Sequence, residues 1–179
     1  AKSTLNGNIK FVDVYGILSE CRNEYIYFRS DHHWTPLGAY YGYFKFAGAN
    51  GLFPTDCRLV NVGEFCGSFA DFTNNPEVLA IKDVMSVQEI KAQYWCHGAK
   101  SKASESVQMR DMYPEDFDGY KRILGGDTGY IRVETMNKTD RRLLIVKDSY
   151  ANALVPYLTE HYNRIIMVDP RYFKDNLYD

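Results

Sequence analysis

Three residues have the types needed to move a proton and attack a carbonyl: Ser149 in KDSY, and His33 and Asp31 in DHHW. Ser149 follows the apolar run LLIV at 143–146 and precedes a stretch of helical spacing. Its hydroxyl is therefore expected at a strand–helix elbow, near the positive end of a helix, where backbone N–H groups can hold an oxyanion. The same position suits a purely structural N-cap. A serine nucleophile needs a base, and imidazole is the side chain that titrates nearest neutrality. Asp31 lies two residues before His33, so on an extended segment the two side chains share a face. The carboxylate would then accept the proton of one ring nitrogen and leave the other toward Ser149. On that geometry His32 points the opposite way, in a supporting role. Trp34 either walls the imidazole from water or simply packs.

A second group of residues would surround such a site. Lys147 and Arg171 could bind an anionic sugar or acyl donor, or form ordinary salt bridges. Tyr150 falls at the site entrance and Asp148 beside the serine as a helix cap. Backbone donors for an oxyanion are sought at Gly67 in GS and Gly126 in GGDTG. Asp127 stands where an amide would serve better, since a carboxylate repels a developing oxyanion; the N–H of Gly126 or of Ser149 would have to act instead. Asp31, His32 and His33 also raise a metal hydrolase. Neighbouring histidines on a strand diverge, however, and no distal HxxxH or carboxylate cluster completes a site, so neither metal nor cofactor is expected.

The elements that would position these residues can be read from periodicity. IKFVDVYGIL at 9–18 suggests a strand running into a short helix, and EYIYFRS at 24–30 alternates like a second strand that ends in DHHW. Thr35-Pro36 opens a helix through LGAYYGYFKFAG that stops at Asn50-Gly51. Residues 52–120 read as an irregular insertion with a helix near 85–94 and an exposed polar loop at 100–105. YIRVET at 130–135 is an edge or antiparallel strand, NKTD at 137–140 a turn, and RLLIVKDS at 142–149 a buried strand. A helical stretch and the strand RIIMVD at 164–169 complete a βαβ pattern, which implies a parallel sheet with its function at the carboxyl ends of the strands.

Bulk properties narrow the classes. The 179 residues, 45% hydrophobic and 25% charged, suit one domain able to bury a core. A formal charge of −2 gives no basic field, so nucleic acid is an unexpected partner. No apolar run approaches the length of about 18 needed to span a bilayer. Cys21, Cys57, Cys66 and Cys96 lack CxxC spacing and allow two disulfides or none. The 15 Tyr and 10 Phe suit sugar-stacking clefts as well as cores. The opening AKSTLNG carries neither Met nor a signal-peptide pattern and reads as the start of a fragment.

The stretches YFRSDHHWTPLGAYYGY at 27–43, LLIVKDSYANALVPYLTEHY at 143–162 and IIMVDPRYF at 165–173 resemble the DHHW protein family, SGNH-hydrolase-like relatives of the alginate O-acetylation proteins. The resemblance implies a flavodoxin-like α/β/α sandwich with a mostly parallel sheet, in which the Asp-x-His element precedes the serine. It implies Asp31 as orienter, His33 as base and Ser149 as nucleophile. It also implies acetyl removal or transfer on cell-surface polysaccharides outside the cytoplasmic membrane, with a membrane-bound acyl-donor protein as a partner. Relatives are longer at the N-terminus, so the chain would be the C-terminal portion of a longer, membrane-anchored protein. The competing class is a non-catalytic carbohydrate-binding or scaffold protein that keeps the elbow for folding.

Overall fold

The computed structural model describes residues 9–73, 75–103 and 108–176. AKSTLNG and positions 104 and 105 of the polar loop lie outside them. Seven strands, β1 (Leu59–Phe65), β2 (Asp83–Gln88), β3 (Tyr94–Ala99), β4 (Gln108–Arg110), β5 (Tyr130–Thr135), β6 (Arg142–Val146) and β7 (Arg164–Val168), form two sheets. β1 and β2 make an antiparallel pair, and the other five are ordered β4-β3-β5-β7-β6.

This corrects the expected flavodoxin-like three-layer sandwich. Only β6 and β7 run parallel, in register from Arg142–Arg164 to Val146–Val168, while β3 pairs antiparallel with β4 and β5, and β5 with β7. The C-terminal βαβ unit is present, but it supplies the single parallel pair of the sheet. Apart from the antiparallel β5–β7 pair, the remaining pairing involves residues 52–120, which are not an irregular insertion: they contribute β1 to β4, and β3 lies beside β5 in the main sheet. The helix expected near 85–94 is instead the end of β2 and the start of β3. The burial of β2 alternates from Asp83 to Val87, a strand period that short apolar runs conceal in sequence. No named strand lies at 9–14 or 24–30; the latter segment makes only an isolated bridge from Tyr27 to Trp34. β5 is interior and β6 is the edge strand, with Leu144 and Val146 more than half exposed.

Among the described residues five helices accompany the sheets: α1 (Tyr15–Glu20), α2 (Pro36–Ala49), α3 (Phe69–Phe72), α4 (Pro76–Leu79) and α5 (Val155–Leu158), with 3₁₀ turns at Gly119–Arg122 and Ser149–Leu154. α2 is the longest. Thr35 caps it by accepting from Gly38 N–H, Pro36 fills its first turn, and Gly51 at φ 66° follows its end. Its buried face carries Ala39, Tyr43 and Ala47, and Tyr43 stacks on Tyr157 of α5 with ring centroids 5.2 Å apart. α2, α5 and the serine segment share one core cluster with the main sheet, where Ile131, Val133, Ile165 and Met167 are fully buried. A smaller cluster of Ala99, Tyr130 and Val168 sits on the opposite face under Phe173. Among the described residues no helix is long and apolar enough to cross a membrane, and all four cysteines are free.

α2 presses on the loop before it because Gly38 has no side chain: a Cβ there would stand 2.3 Å from the Ile26 carbonyl oxygen and 3.0 Å from Trp34 Cβ. Gly38→Ala is expected to destabilise the fold by about 1–3 kcal/mol through overpacking. Gly48→Ala, in the same helix with nothing near its Cβ, should be neutral or stabilising by up to about 1 kcal/mol. Urea unfolding of both variants checks the contrast.

Candidate active site

Arg29 to His33 is a bend, and its shape comes from hydrogen bonds made by two buried carboxylates. Asp31 Oδ1 accepts from the backbone N–H of His33 at 3.0 Å, an Asx-type turn that folds the carboxylate back over the histidine two residues on. Phe28 N–H donates to the His33 carbonyl and closes the loop. Beneath it, Asp83, at the start of β2 and 1% exposed, accepts from the backbone N–H groups of Arg29 and Ser30, the Ser30 hydroxyl and the Tyr25 hydroxyl. The Ser30 hydroxyl in turn accepts from Gly67 N–H at 2.8 Å, and Ser68 N–H donates to Asp31 Oδ2 at 2.9 Å. The DHHW loop is thus fastened to β2 and to the segment after β1.

The serine arrives from the other side. β6 leads into Asp148, which caps the 3₁₀ turn by accepting from Tyr150 N–H at 3.0 Å, and Ser149 is the first residue of that turn. Trp34 Nε1–H donates to the Tyr150 carbonyl at 3.0 Å, and the Tyr150 hydroxyl donates to the His32 carbonyl, so the two segments are tied in both directions.

These ties bring Asp31, His33 and Ser149 into one hydrogen-bonded line. His33 Nδ1 stands 2.6 Å from Asp31 Oδ1, and His33 Nε2 stands 2.8 Å from Ser149 Oγ. An ionised carboxylate only accepts, so Nδ1 carries the proton and Nε2 is left to accept from the serine hydroxyl. Asp31 and His33 are each 7% exposed. Burial alone would push the Asp31 carboxyl up, but the hydrogen bonds from the His33 ring, Ser68 and the His33 backbone outweigh it and hold the group well below the usual carboxylate range. Asp83 is likewise held low against its burial, by Ser30, Tyr25 and the Arg29 and Ser30 backbone.

The other residues singled out from sequence fall differently. Trp34 is buried and Tyr150 half-buried, both against the imidazole or the serine turn, with the Tyr150 ring 5.2 Å from that of His33. Lys147 does not face solvent: its fully buried side chain lies between Asp127, at 3.2 Å, and Asp169, at 3.5 Å. Arg171 bonds the same two carboxylates while remaining about half exposed. Asp127 also accepts from the Asn152 amide, so its charge is neutralised locally. The N–H groups of Gly67 and Gly126 are committed to the Ser30 hydroxyl and the Ile123 carbonyl. His32 does not point away from His33. Because the segment bends, their rings lie 3.9 Å apart, and ligand-type atoms of Asp31, His32 and His33 fall within 4.8 Å of one another. His33 nevertheless uses both ring nitrogens in the line above, and His32 Nδ1 pairs with the Ser68 hydroxyl at 2.8 Å.

Sequence reasoning missed Asp83, Ser30, Ser68 and Tyr120. Tyr120, in the turn Gly119–Arg122, lays its ring parallel to the His33 imidazole with centroids 3.7 Å apart. Nothing in AIKDV or DGYKR marks Asp83 or Tyr120, which matter only through contacts 29 to 87 residues away along the chain.

Fold and site together define a mixed α/β protein with a pre-aligned Ser–His–Asp set at the end of the parallel pair β6–β7. Residues 1–168 match the model of the DHHW protein family, and the chain belongs to that family. A DHHW family protein from Eubacterium siraeum has the same fold, with a TM-score of 0.81 and 30% identity over 94% of this chain and 58% of that one. PatB1 of Bacillus cereus, solved alone and with a sulfonyl adduct, is similar with a TM-score of 0.68 and 18% identity over 98% of this chain. The chain spans 58% to 65% of the length of these solved relatives. No curated protein matches the sequence.

With Asp31 and Asp83 held low when folded, the folded protein binds fewer protons than the unfolded chain in mild acid. Their stabilisation is full above the ordinary carboxylate value of about 4 and is lost as pH falls through it toward the folded values. Asp83→Asn should lose about 2–3 kcal/mol at neutral pH, because an amide faces the site's donors with donors of its own. It should also show a smaller fall in thermal midpoint than wild type between about pH 7 and pH 3.

Proposed function

We propose that this chain performs serine-dependent acyl transfer on carbohydrate. The observation that carries the reading is the unbroken line from Asp31 through His33 to Ser149, with links of 2.6 and 2.8 Å. His33 Nε2 accepts the proton of Ser149 as Oγ attacks the carbonyl carbon of an ester. Asp31, kept ionised, stabilises the imidazolium that results. Negative charge on the former carbonyl oxygen is met by the backbone N–H of Ser149 at the start of its turn, the next N–H, of Tyr150, being held by Asp148. His33 then returns its proton to the departing alkoxide, which leaves an acyl-serine. Water as the second acceptor completes an esterase; a sugar hydroxyl completes an O-acetyltransferase.

Carbohydrate as the substrate class draws on the surroundings of the line. Tyr27, Phe69 and Phe72 are exposed aromatic residues, and α3, which bears the two phenylalanines, follows directly on the Ser68 N–H that holds Asp31. Flat exposed rings suit the C–H faces of sugars. With the family resemblance, this reading puts the reaction on cell-surface polysaccharide outside the cytoplasmic membrane, with the acyl group delivered by a membrane-bound donor protein.

Labelling with a fluorophosphonate or a sulfonyl fluoride tests the chemistry without a known substrate. The folded chain should be modified stoichiometrically at Ser149, not at all as Ser149→Ala, and about 10²–10⁴-fold more slowly as His33→Ala. Folded wild-type protein that resists both reagents would sink the enzymatic reading and leave carbohydrate binding without catalysis.

A further inference from the structure

We propose that Tyr120 is a positioning residue for this site, holding the base and the nucleophile in one register and stabilising the charged state of the base. The inference rests on the acyl-transfer reading and extends it to a residue that no motif marks.

Tyr120 contacts both halves of the reacting line. Its ring is stacked on the His33 imidazole at 3.7 Å and 7° from parallel. Its hydroxyl shares its one proton between the carbonyl of Ser149 at 2.9 Å and that of Tyr150 at 3.1 Å. One rigid side chain therefore sets the height of the imidazole and the position of the backbone that carries the nucleophile. Burial raises the phenol well above its ordinary value, so the hydroxyl remains a donor throughout the working pH range.

The scaffold has no freedom to move this ring away. Gly119 adopts φ 52°, and a Cβ there would stand 2.5 Å from the Phe65 ring, so the turn packs directly on the end of β1. Phe28, which precedes the DHHW loop, meets the Tyr120 ring edge-on at 6.4 Å and Phe65 at 5.1 Å. Leu124 holds φ 60° and donates its N–H to the Met112 carbonyl at 2.7 Å, fixing the other end of the turn.

The stack also has an electrostatic consequence. When His33 takes the serine proton it becomes a cation lying on the negative face of a phenol ring, a favourable arrangement. The charged and titratable groups facing His33 are Asp31 at 2.6 Å, the His32 ring at 3.9 Å and the Tyr150 ring at 5.2 Å. Tyr120 covers one face of the imidazole, while Asp31 and Ser149 occupy its edge.

Tyr120→Phe keeps the ring and loses the two hydroxyl bonds; Tyr120→Leu loses both. The rate of Ser149 modification by phenylmethanesulfonyl fluoride, followed from about pH 5 to pH 9, separates the effects. Tyr120→Phe is expected to lower the plateau rate about 3- to 10-fold with the acid limb in place. Tyr120→Leu is expected to lower the plateau further and to move the acid limb down by about half a pH unit, because the imidazolium loses its aromatic face. Tyr120→Phe labelled at the wild-type rate overturns the hydroxyl's role, and an unmoved acid limb in Tyr120→Leu overturns the ring's role. A second measurement needs no reactivity. The downfield proton NMR signal of His33 Nδ1–H should be sharp in wild type and in Tyr120→Phe and broadened by exchange in Tyr120→Leu; a sharp signal in Tyr120→Leu refutes the positioning role. Wild-type protein that shows this signal but is not labelled at Ser149 fails the acyl-transfer reading alone.

Discussion

The site depends on Asp83. The loop from Arg29 to His33 belongs to no sheet and makes one isolated bridge at its base, so its backbone would otherwise face water. A carboxylate 1% exposed instead collects two backbone N–H groups and two hydroxyls. Charge-assisted bonds of this kind are roughly twice as strong as neutral ones, and they offset the cost of burying the charge. With the loop so anchored, Asp31 can turn back on His33, and the imidazole is aimed before any ligand arrives.

Around that anchor the molecule uses several weak ties in place of one strong one. Trp34 and Tyr120 bond carbonyls of the serine turn, Tyr150 bonds back to His32, and Ser68 bonds Asp31. Each joins segments distant in sequence, so the geometry of the proton path is a collective property. A hydrogen-bond line only 2.6 and 2.8 Å per link tolerates little drift, which explains why the aromatic residues here are packed edge-on and face-on instead of merely filling space.

A second charged cluster behind the serine performs a structural task. Lys147 lies fully buried between Asp127 and Asp169, with Arg171 closing the group from solvent. This fixes the end of β6, which leads into Ser149, against the end of β7. Such a buried pair stabilises only as a complete unit, since removing one member strands the others.

Local chemistry was legible in the chain itself. DHHW and KDSY, the Thr35-Pro36 helix start, and the βαβ rhythm of 142–168 rest on spacing, caps and periodicity, which act within a few residues, and the family likeness rests on the same stretches. Tertiary structure alone decided the rest. LLIV at 143–146 reads as buried because all four residues are apolar, yet pairing on one side only leaves β6 at the sheet edge. The parity argument for Asp31 and His33 reached the right neighbours by the wrong geometry: the side chains meet through an Asx turn, and His32 consequently stacks on His33 instead of opposing it. Asp83 and Tyr120 carry no local signature, because a buried carboxylate or a stacked phenol acquires its meaning from partners brought together by folding. Residue types and local spacing mark Asp31, His33 and Ser149 as candidates; the long-range pairing of strands and the closure of the DHHW loop make them face one another, since hydrogen-bond alignment is a property of three-dimensional position and not of spacing along the chain.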